Sequence, residues 1–497
     1  MSRVTSFNAL RDRRLVLVPF LALVVFLASG PRAGASTHPL LTAVYPPAVE
    51  AASDEQVVFD RIRAAGAGYV RLTLNWATVA PSPPARPEDP NDPAYHWDAF
   101  DAGLQRAIAA GLEPLVMVYN APLWAERNLQ YAAIFSGAGD PDPAAFGAFA
   151  QAAAQRYSGR SSGVPRIRLW QVWNEPNISL GYAPQFGANG AVSPDWYRDI
   201  VNRFADAVHA ANADNVVIAG ATAPFFDATA DVLSHDSDWG PLAFMRSFLC
   251  LSQDLTPSCN ATVHFDVWSH HPYTSGGPTH HAVLPNDVSL GDLAEMKQVL
   301  DAGVASGHIV SSGPVGFWVT EFSWDSNPPD PLGVPADLEA RWVSEALYRM
   351  WLNGISLVTW YSLRDLPYPD NNYQSGLYYR GTSLATDRPK PALSAFRFPF
   401  VALPNDASHV AVWGRTPAGT PGQVLIEQSS RRRWKALAFL TTDQYGIFDA
   451  IVSTTSTKRL RARLFPSHDA SIPFSPLSVP DQYFTPFGLP YPLEPVP

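Results

Sequence analysis

Eight short apolar runs, each followed by a stretch with helical spacing, fill most of the chain between residues 41 and 398. The runs fall at 41–45, 69–76, 114–119, 167–173, 216–221, 265–269, 316–321 and 356–361. The helical stretches fall at 55–65, 97–110, 143–157, 194–210, 239–251, 290–302, 336–353 and 391–398. Several of them end in glycine, at Gly66, Gly111 and Gly354, where a left-handed residue is expected to close a helix. This alternation predicts an α/β fold, a (β/α)8 TIM barrel with long loops. A doubly wound open sheet would need a glycine-rich phosphate turn after its first strand, and Tyr45-Pro46-Pro47 stands there instead.

The pattern changes after Ala402. Strand-like runs at 410–413, 423–428, 434–440, 447–452 and 459–464 are separated by turn residues such as Ser429-Ser430, Asp443 and Gly446. They predict a small C-terminal all-β domain, sandwich-like, over 405–466. Arg431-Arg432-Arg433 beside Trp434 reads as a solvated hairpin end, or as a contact for an acidic polymer or cell surface. Residues 467–497 are rich in Pro and lack periodicity, so they are expected to pack along the surface or stay extended.

The N-terminus has the layout of a signal peptide over 1–35. Arg11, Arg13 and Arg14 precede an apolar run at 15–28, and Ala33-Gly34-Ala35 offers a cleavage site. That run is short for a permanent anchor, so no stable membrane span is expected after cleavage and the chain is expected to be exported. An uncleaved N-terminal anchor is the alternative. In an oxidising compartment Cys250 and Cys259 are expected to form a disulfide. Two cysteines with no histidine at ligand spacing give no zinc site, and no metal or organic cofactor is implied. Asn177 and Asn260 each open a glycosylation sequon.

A formal net charge of −10 argues against a nucleic-acid binder, which would carry a basic face. The 15 Trp, 18 Tyr and 26 Phe fit either a packed core or a sugar-binding cleft, and composition alone does not choose.

The fourth apolar run ends in Trp173-Asn174-Glu175-Pro176, and the seventh ends in Thr320-Glu321-Phe322. In a barrel, residues at the C-terminal ends of strands face the mouth. Pro176 is expected to hold Glu175 extended. Period-2 alternation is expected to put Phe317, Val319 and Glu321 on one face. Two carboxylates facing each other across a barrel mouth suit glycoside hydrolysis, which uses one acid and one carboxylate at the anomeric carbon.

On these motifs the chain resembles the retaining glycoside hydrolases of clan A, especially those like families 5 and 39, over a catalytic barrel at 40–402. The resemblance implies Glu175 as acid/base and Glu321 as nucleophile. It also implies a carbohydrate substrate, Arg71 as support for the nucleophile, Asn174 as a contact for the sugar 2-hydroxyl, and His271 and Tyr273 beside the carboxylates. It implies Trp360 as the floor of the subsite before the cleaved bond. Trp124 and Trp324 are further candidate subsite walls, and Asn120 is a candidate substrate contact. His270 is expected to point away and pack. Arg364 and Asp365 could bind substrate or each other. Two other readings stay open: a non-catalytic glycan-binding protein on a barrel scaffold, and a transglycosidase using the same two carboxylates.

Overall fold

A computed structural model describes residues 38–49, 51–133, 136–188, 190–225, 238–431, 433–477 and 479. The expected signal peptide lies outside these residues, as does most of the C-terminal tail. Eight parallel strands close a barrel in sequence order, each bonded to the next and the last to the first. They are β1 (Leu41–Val44), β2 (Tyr69–Asn75), β3 (Glu113–Tyr119), β4 (Leu169–Val172), β5 (Val216–Thr222), β6 (Val267–His270), β7 (Gly316–Phe322) and β8 (Leu357–Trp360). The main helices are α1 (Ala52–Ala64), α2 (Asp98–Ala109), α3 (Pro143–Arg156), α4 (Ser193–Ala211), α5 (Pro241–Phe248), α6 (Leu293–Ser306), α7 (Ala336–Leu352) and α8 (Pro391–Arg397). The (β/α)8 TIM barrel is therefore the fold.

Local chemistry sets the helix ends. Asp142 accepts the Ala145 N–H, and Pro143 starts α3, so one orphan donor is satisfied and one is absent. Gly66, Gly111 and Gly354 follow α1, α2 and α7 with φ of 81°, 76° and 82°, the left-handed closure expected of them.

Two apolar layers result. Ala43, Leu115, Leu169, Ile218, Val267, Trp318 and Leu357 pack together inside the barrel. Each lies within the first three residues of its strand, so the lower barrel is filled and the polar side chains collect above it. The apolar residues on the opposite faces of the strands pack outward against the helices in one continuous core.

The C-terminal region forms two three-stranded antiparallel sheets. One is ordered β9 (Phe400–Pro404), β10 (His409–Arg415), β13 (Ile447–Ser453). The other is ordered β12 (Arg433–Thr441), β11 (Gln423–Ser430), β14 (Leu460–Phe465). The residues 400–402, read from sequence as the end of the barrel, pair with β10 instead. An apolar run next to a helix end does not reveal which neighbour it will bond. Trp413 of β10 packs on Tyr348 and Trp351 of α7, which joins the module to the barrel. The tail packs back: Asp469 pairs with Arg397, Phe474 bridges Leu460, and Arg341 donates to the carbonyls of Ser475 and Leu477.

Cys250 and Cys259 are bonded, with Cα atoms 5.1 Å apart. Asn177 is fully buried and donates to the carbonyls of Ala223 and Trp239, so its sequon serves the fold. Arg364 and Asp365 do not pair with each other. Arg364 bonds Asp387, and Asp365 bonds the buried Lys390 at 2.6 Å.

Glu339 on α7 lies in a buried polar cluster with Asp325, Asp365 and Lys390. Burial pushes its pKa up to about 8, against a relieving effect from Lys390 and further raising by Asp365 and Asp325. The folded chain thus keeps this carboxyl protonated at neutral pH, whereas the unfolded chain ionises it near 4.5. Its contribution to stability is complete below pH 4.5 and is lost as pH rises to about 8. Glu339→Gln should flatten that part of the stability–pH curve, read as Tm at several pH values; an unchanged slope would exclude Glu339 as its source.

Candidate active site

Arg71 projects from β2 into the upper barrel and is 1% exposed. Burying a guanidinium is costly unless its donors are all used. Nη1 donates to Glu321 Oε2 at 2.7 Å, Nη2 to Asn174 Oδ1 at 2.7 Å, and Nε to Gln171 Oε1 at 3.0 Å. Nη2 also lies against Met117 Sδ at 3.0 Å. One side chain therefore ties β2, β3, β4 and β7 together.

Glu321 is held from a second side by the Tyr273 hydroxyl, which donates to Oε1 at 2.8 Å. Burial raises the Glu321 pKa. The charges of His271 and Arg71 and the Tyr273 hydrogen bond oppose it and win, so the carboxyl sits below its ordinary value. Among the described residues Glu175 has a single side-chain partner, His271, whose Nδ1 lies 2.9 Å from Oε1. His271 Nε2 lies 3.2 Å from the Thr320 hydroxyl. The two carboxylates are 20% and 16% exposed, so both reach the mouth. His270 points away, as its parity predicts. It is fully buried between Thr222 and the Val288 carbonyl, and burial drives its pKa down to about 3.

Glu175 departs from expectation. Its φ is +46°, and that of Trp173 is +68°. The local bias of a residue before proline yields to a tertiary bond, from the Glu175 N–H to the Ala221 carbonyl at 3.0 Å. Close packing fixes the same turn. A Cβ on Gly181 would lie 2.2 Å from the Glu175 carbonyl oxygen and 2.6 Å from that of Asn174.

Alternation in β7 also breaks. Trp318 faces the barrel interior while Phe317 and Val319 face the helices, so Glu321 does not share their side. A register irregularity between Val319 and Phe322 turns Glu321 to the mouth.

The aromatic candidates divide differently from expectation. Trp360 is 1% exposed, packs on Phe322 and Phe396, and donates to the Ser375 carbonyl. It faces the helix layer because Leu357 faces the barrel interior, three residues earlier in the same strand. Trp324 is 4% exposed, packs on Phe322 and Trp342, and is a core residue. Trp124 is half-buried, edge-on to Trp76, and donates to the Ala80 carbonyl. Asn120 follows β3 at φ +70° and donates to Asn75 Oδ1 at 3.3 Å.

The cleft wall is built of tyrosines that the sequence reading passed over. A cleft of about 340 Å³ is lined by Tyr45, Pro46, Pro47, Ala48, Arg71, Thr73, Tyr361, Ser362 and Leu366. The rings of Tyr45 and Tyr361 lie 5.1 Å apart, and Tyr373 meets Tyr361 at 5.3 Å. Tyr119, at the end of β3, has its pKa raised by burial and by the charge of Glu175. Gln171 was likewise missed. A buried amide two residues before a strand end was the available signal.

No protein-family model matches the chain, and no curated protein matches it by sequence. Among solved structures, it is similar to a family 39 glycoside hydrolase from Bacteroides cellulosilyticus WH2. The identity is 16% and the TM-score 0.50, over 84% of this chain and 81% of the other. It also matches a monomeric β-xylosidase from Caulobacter crescentus CB15, at 16% identity and a TM-score of 0.49, over 86% and 96%. A third match is a glucosidase from Croceicoccus marinus, at 14% identity and a TM-score of 0.48, over 86% and 95%. The first of these likenesses extends the shared fold over most of the chain.

Gly181→Ala should push the turn that carries Asn174 and Glu175 out of place. The expected result is loss of the Arg71–Asn174 contact in a crystal structure, with Tm lowered by several degrees. An unshifted turn would show that the close approach is not required.

Proposed function

We propose that the chain is an exported retaining glycoside hydrolase that cleaves a β-linked glycoside or polysaccharide by double displacement. Glu321 attacks the anomeric carbon while Glu175 gives its proton to the departing oxygen. Water then attacks the same carbon, Glu175 takes its proton, and Glu321 leaves. Atoms and charges balance over the two steps, and no metal or organic group takes part.

The observation that carries this reading is the unequal treatment of two carboxylates at one mouth. Glu321 is bonded by Arg71 and Tyr273 and held ionised, as a nucleophile must be. Among the described residues Glu175 bonds only His271, which can accept from the protonated acid or donate to the ionised one. With Asn174 Oδ1 held by Arg71, its amide N–H2 group is left for a sugar 2-hydroxyl, a contact that strengthens in the transition state. Tyr361, at the position after Trp360, offers a flat apolar ring to the C–H face of a sugar. The family 39 likeness supports the same class. Export is supported by the N-terminal layout of the sequence and by the Cys250–Cys259 bond.

Glu321→Ala should abolish turnover of an activated aryl β-glycoside, and the first product of the native chain should keep the anomeric configuration of the substrate, read by proton NMR. Inversion would overturn the assignment, since inverting enzymes set the two carboxyls about 6.5–9.5 Å apart rather than about 5–5.5 Å. The lowered pKa of Glu321 puts the acid limb of kcat/KM below pH 4.5. Tyr273→Phe removes one donor to the ionised form, so that limb should move to higher pH. A pH–rate profile of the variant reads the shift; a limb that stays in place would separate Tyr273 from the nucleophile.

A further inference from the structure

Charge is unevenly placed along this acidic chain. Residues 423–465 hold eight Arg or Lys and three Asp or Glu, while the whole chain carries −10. The β11–β12–β14 sheet gathers much of this charge on its outward face. Strand pairing sets Trp434 opposite Ser429, Ala436 and Arg461 opposite Glu427, and Phe439 and Arg463 opposite Leu425. These positions alternate with Val424, Ile426, Ala438, Leu440 and Ala462, which are buried, so one face is dry and the other meets solvent.

Phe439 and Phe465 are 45% and 51% exposed and touch edge-to-face at 5.3 Å. The Arg461 guanidinium lies 4.3 Å over the Trp434 ring while also bonding Glu427. At the near end of the sheet, the Ser429 N–H bonds the Arg459 carbonyl, and Ser430 pairs with Arg433. The β11–β12 hairpin tip and the crossover from β13 to β14 therefore bring exposed Arg431, Arg433, Lys458 and Arg459 to one edge. Among the described residues, no ion pair is formed by these four side chains.

We infer that the outward face of the β11–β12–β14 sheet binds an anionic polysaccharide, a sugar chain carrying carboxylates along its length. Guanidinium forks match carboxylates in a planar, two-point geometry. Exposed rings in line with them can stack on sugar faces. A flat strip with rings at one margin and cations at the other fits a polymer that is both ring-built and charged. The preference for a polysaccharide over another polyanion rests on the glycosidase reading of the barrel. The positive strip on a negative protein also orients it toward such a polymer before contact.

The test uses the full chain with Glu321→Gln, which leaves the polymer uncut, in affinity electrophoresis with polygalacturonate. Retardation should be strong at low salt and fade as salt rises. Arg433→Glu with Arg459→Glu should weaken binding by tenfold or more with Tm unchanged, because both side chains are exposed, and Trp434→Ala should weaken it by several-fold. On the otherwise native chain, the same charge reversal should leave aryl-glycoside turnover unchanged. Equal retardation by neutral xylan, equal binding to double-stranded DNA or to anionic vesicles, or indifference to the charge reversal would each overturn the inference. Failure of the barrel reading shows separately, as absent aryl-glycoside turnover with polygalacturonate binding intact.

Discussion

The buried Arg71 guanidinium is the constraint on which the site depends. A cation this deep is tolerated only because its donors are taken by Gln171, Asn174 and Glu321. Each bond also fixes its partner. Gln171 spends its own N–H2 on the Trp173 carbonyl at 2.8 Å, which pins the start of the turn that carries Glu175. Removing any one partner would leave a buried charge or amide unmet, which is a larger loss than the bond itself. Strand closure sets where β2, β4 and β7 stand, and Arg71 sets how their upper ends face one another.

That dependence explains what could be read from the sequence and what could not. Strand and helix alternation, helix-closing glycines and the placing of Glu175 and Glu321 at strand ends all follow from local rules with fixed periods. His271 and Tyr273 came from the resemblance, and parity added only that His270 points away and packs. Reading failed where the chain leaves its period. The irregularity after Val319 turns Glu321 inward against the alternation of Phe317 and Val319. The left-handed turn at Trp173 and Glu175 is set by Ala221 and Gly181, far along the chain from any local signal. Phe400–Pro404 carries no mark of its allegiance, because its partner β10 decides it.

The tryptophans show the same limit from another side. Trp360 and Trp324 are attractive candidates by type and by position at strand ends. A one-residue change of facing is enough to exchange a cleft residue for a core residue. Trp360 meets α8 through Phe396, while the next residue, Tyr361, lines the cleft. A tyrosine there keeps the flat apolar face of an aromatic ring and adds a hydroxyl, so the cleft wall is less apolar than a tryptophan floor would make it.

The long segment between β8 and α8 poses a different physical problem. It has little regular structure, so its backbone groups need side-chain partners. Asp325 accepts the Gln374 N–H, Asp365 accepts the Gly376 N–H, and Lys390 reaches both Asp365 and the Gln374 carbonyl. One lysine cannot neutralise three buried carboxyls. Burial pushes Asp325 up to about 7 and Glu339 up to about 8, so the excess charge is removed by protons rather than by further cations. The same segment carries Tyr373, which supports Tyr361 edge-on. The shape of the cleft wall thus rests on a buried cluster whose electroneutrality depends on bound protons. Raising the pH removes those protons and leaves like charges buried beside one lysine, so the support for the wall weakens on the alkaline side.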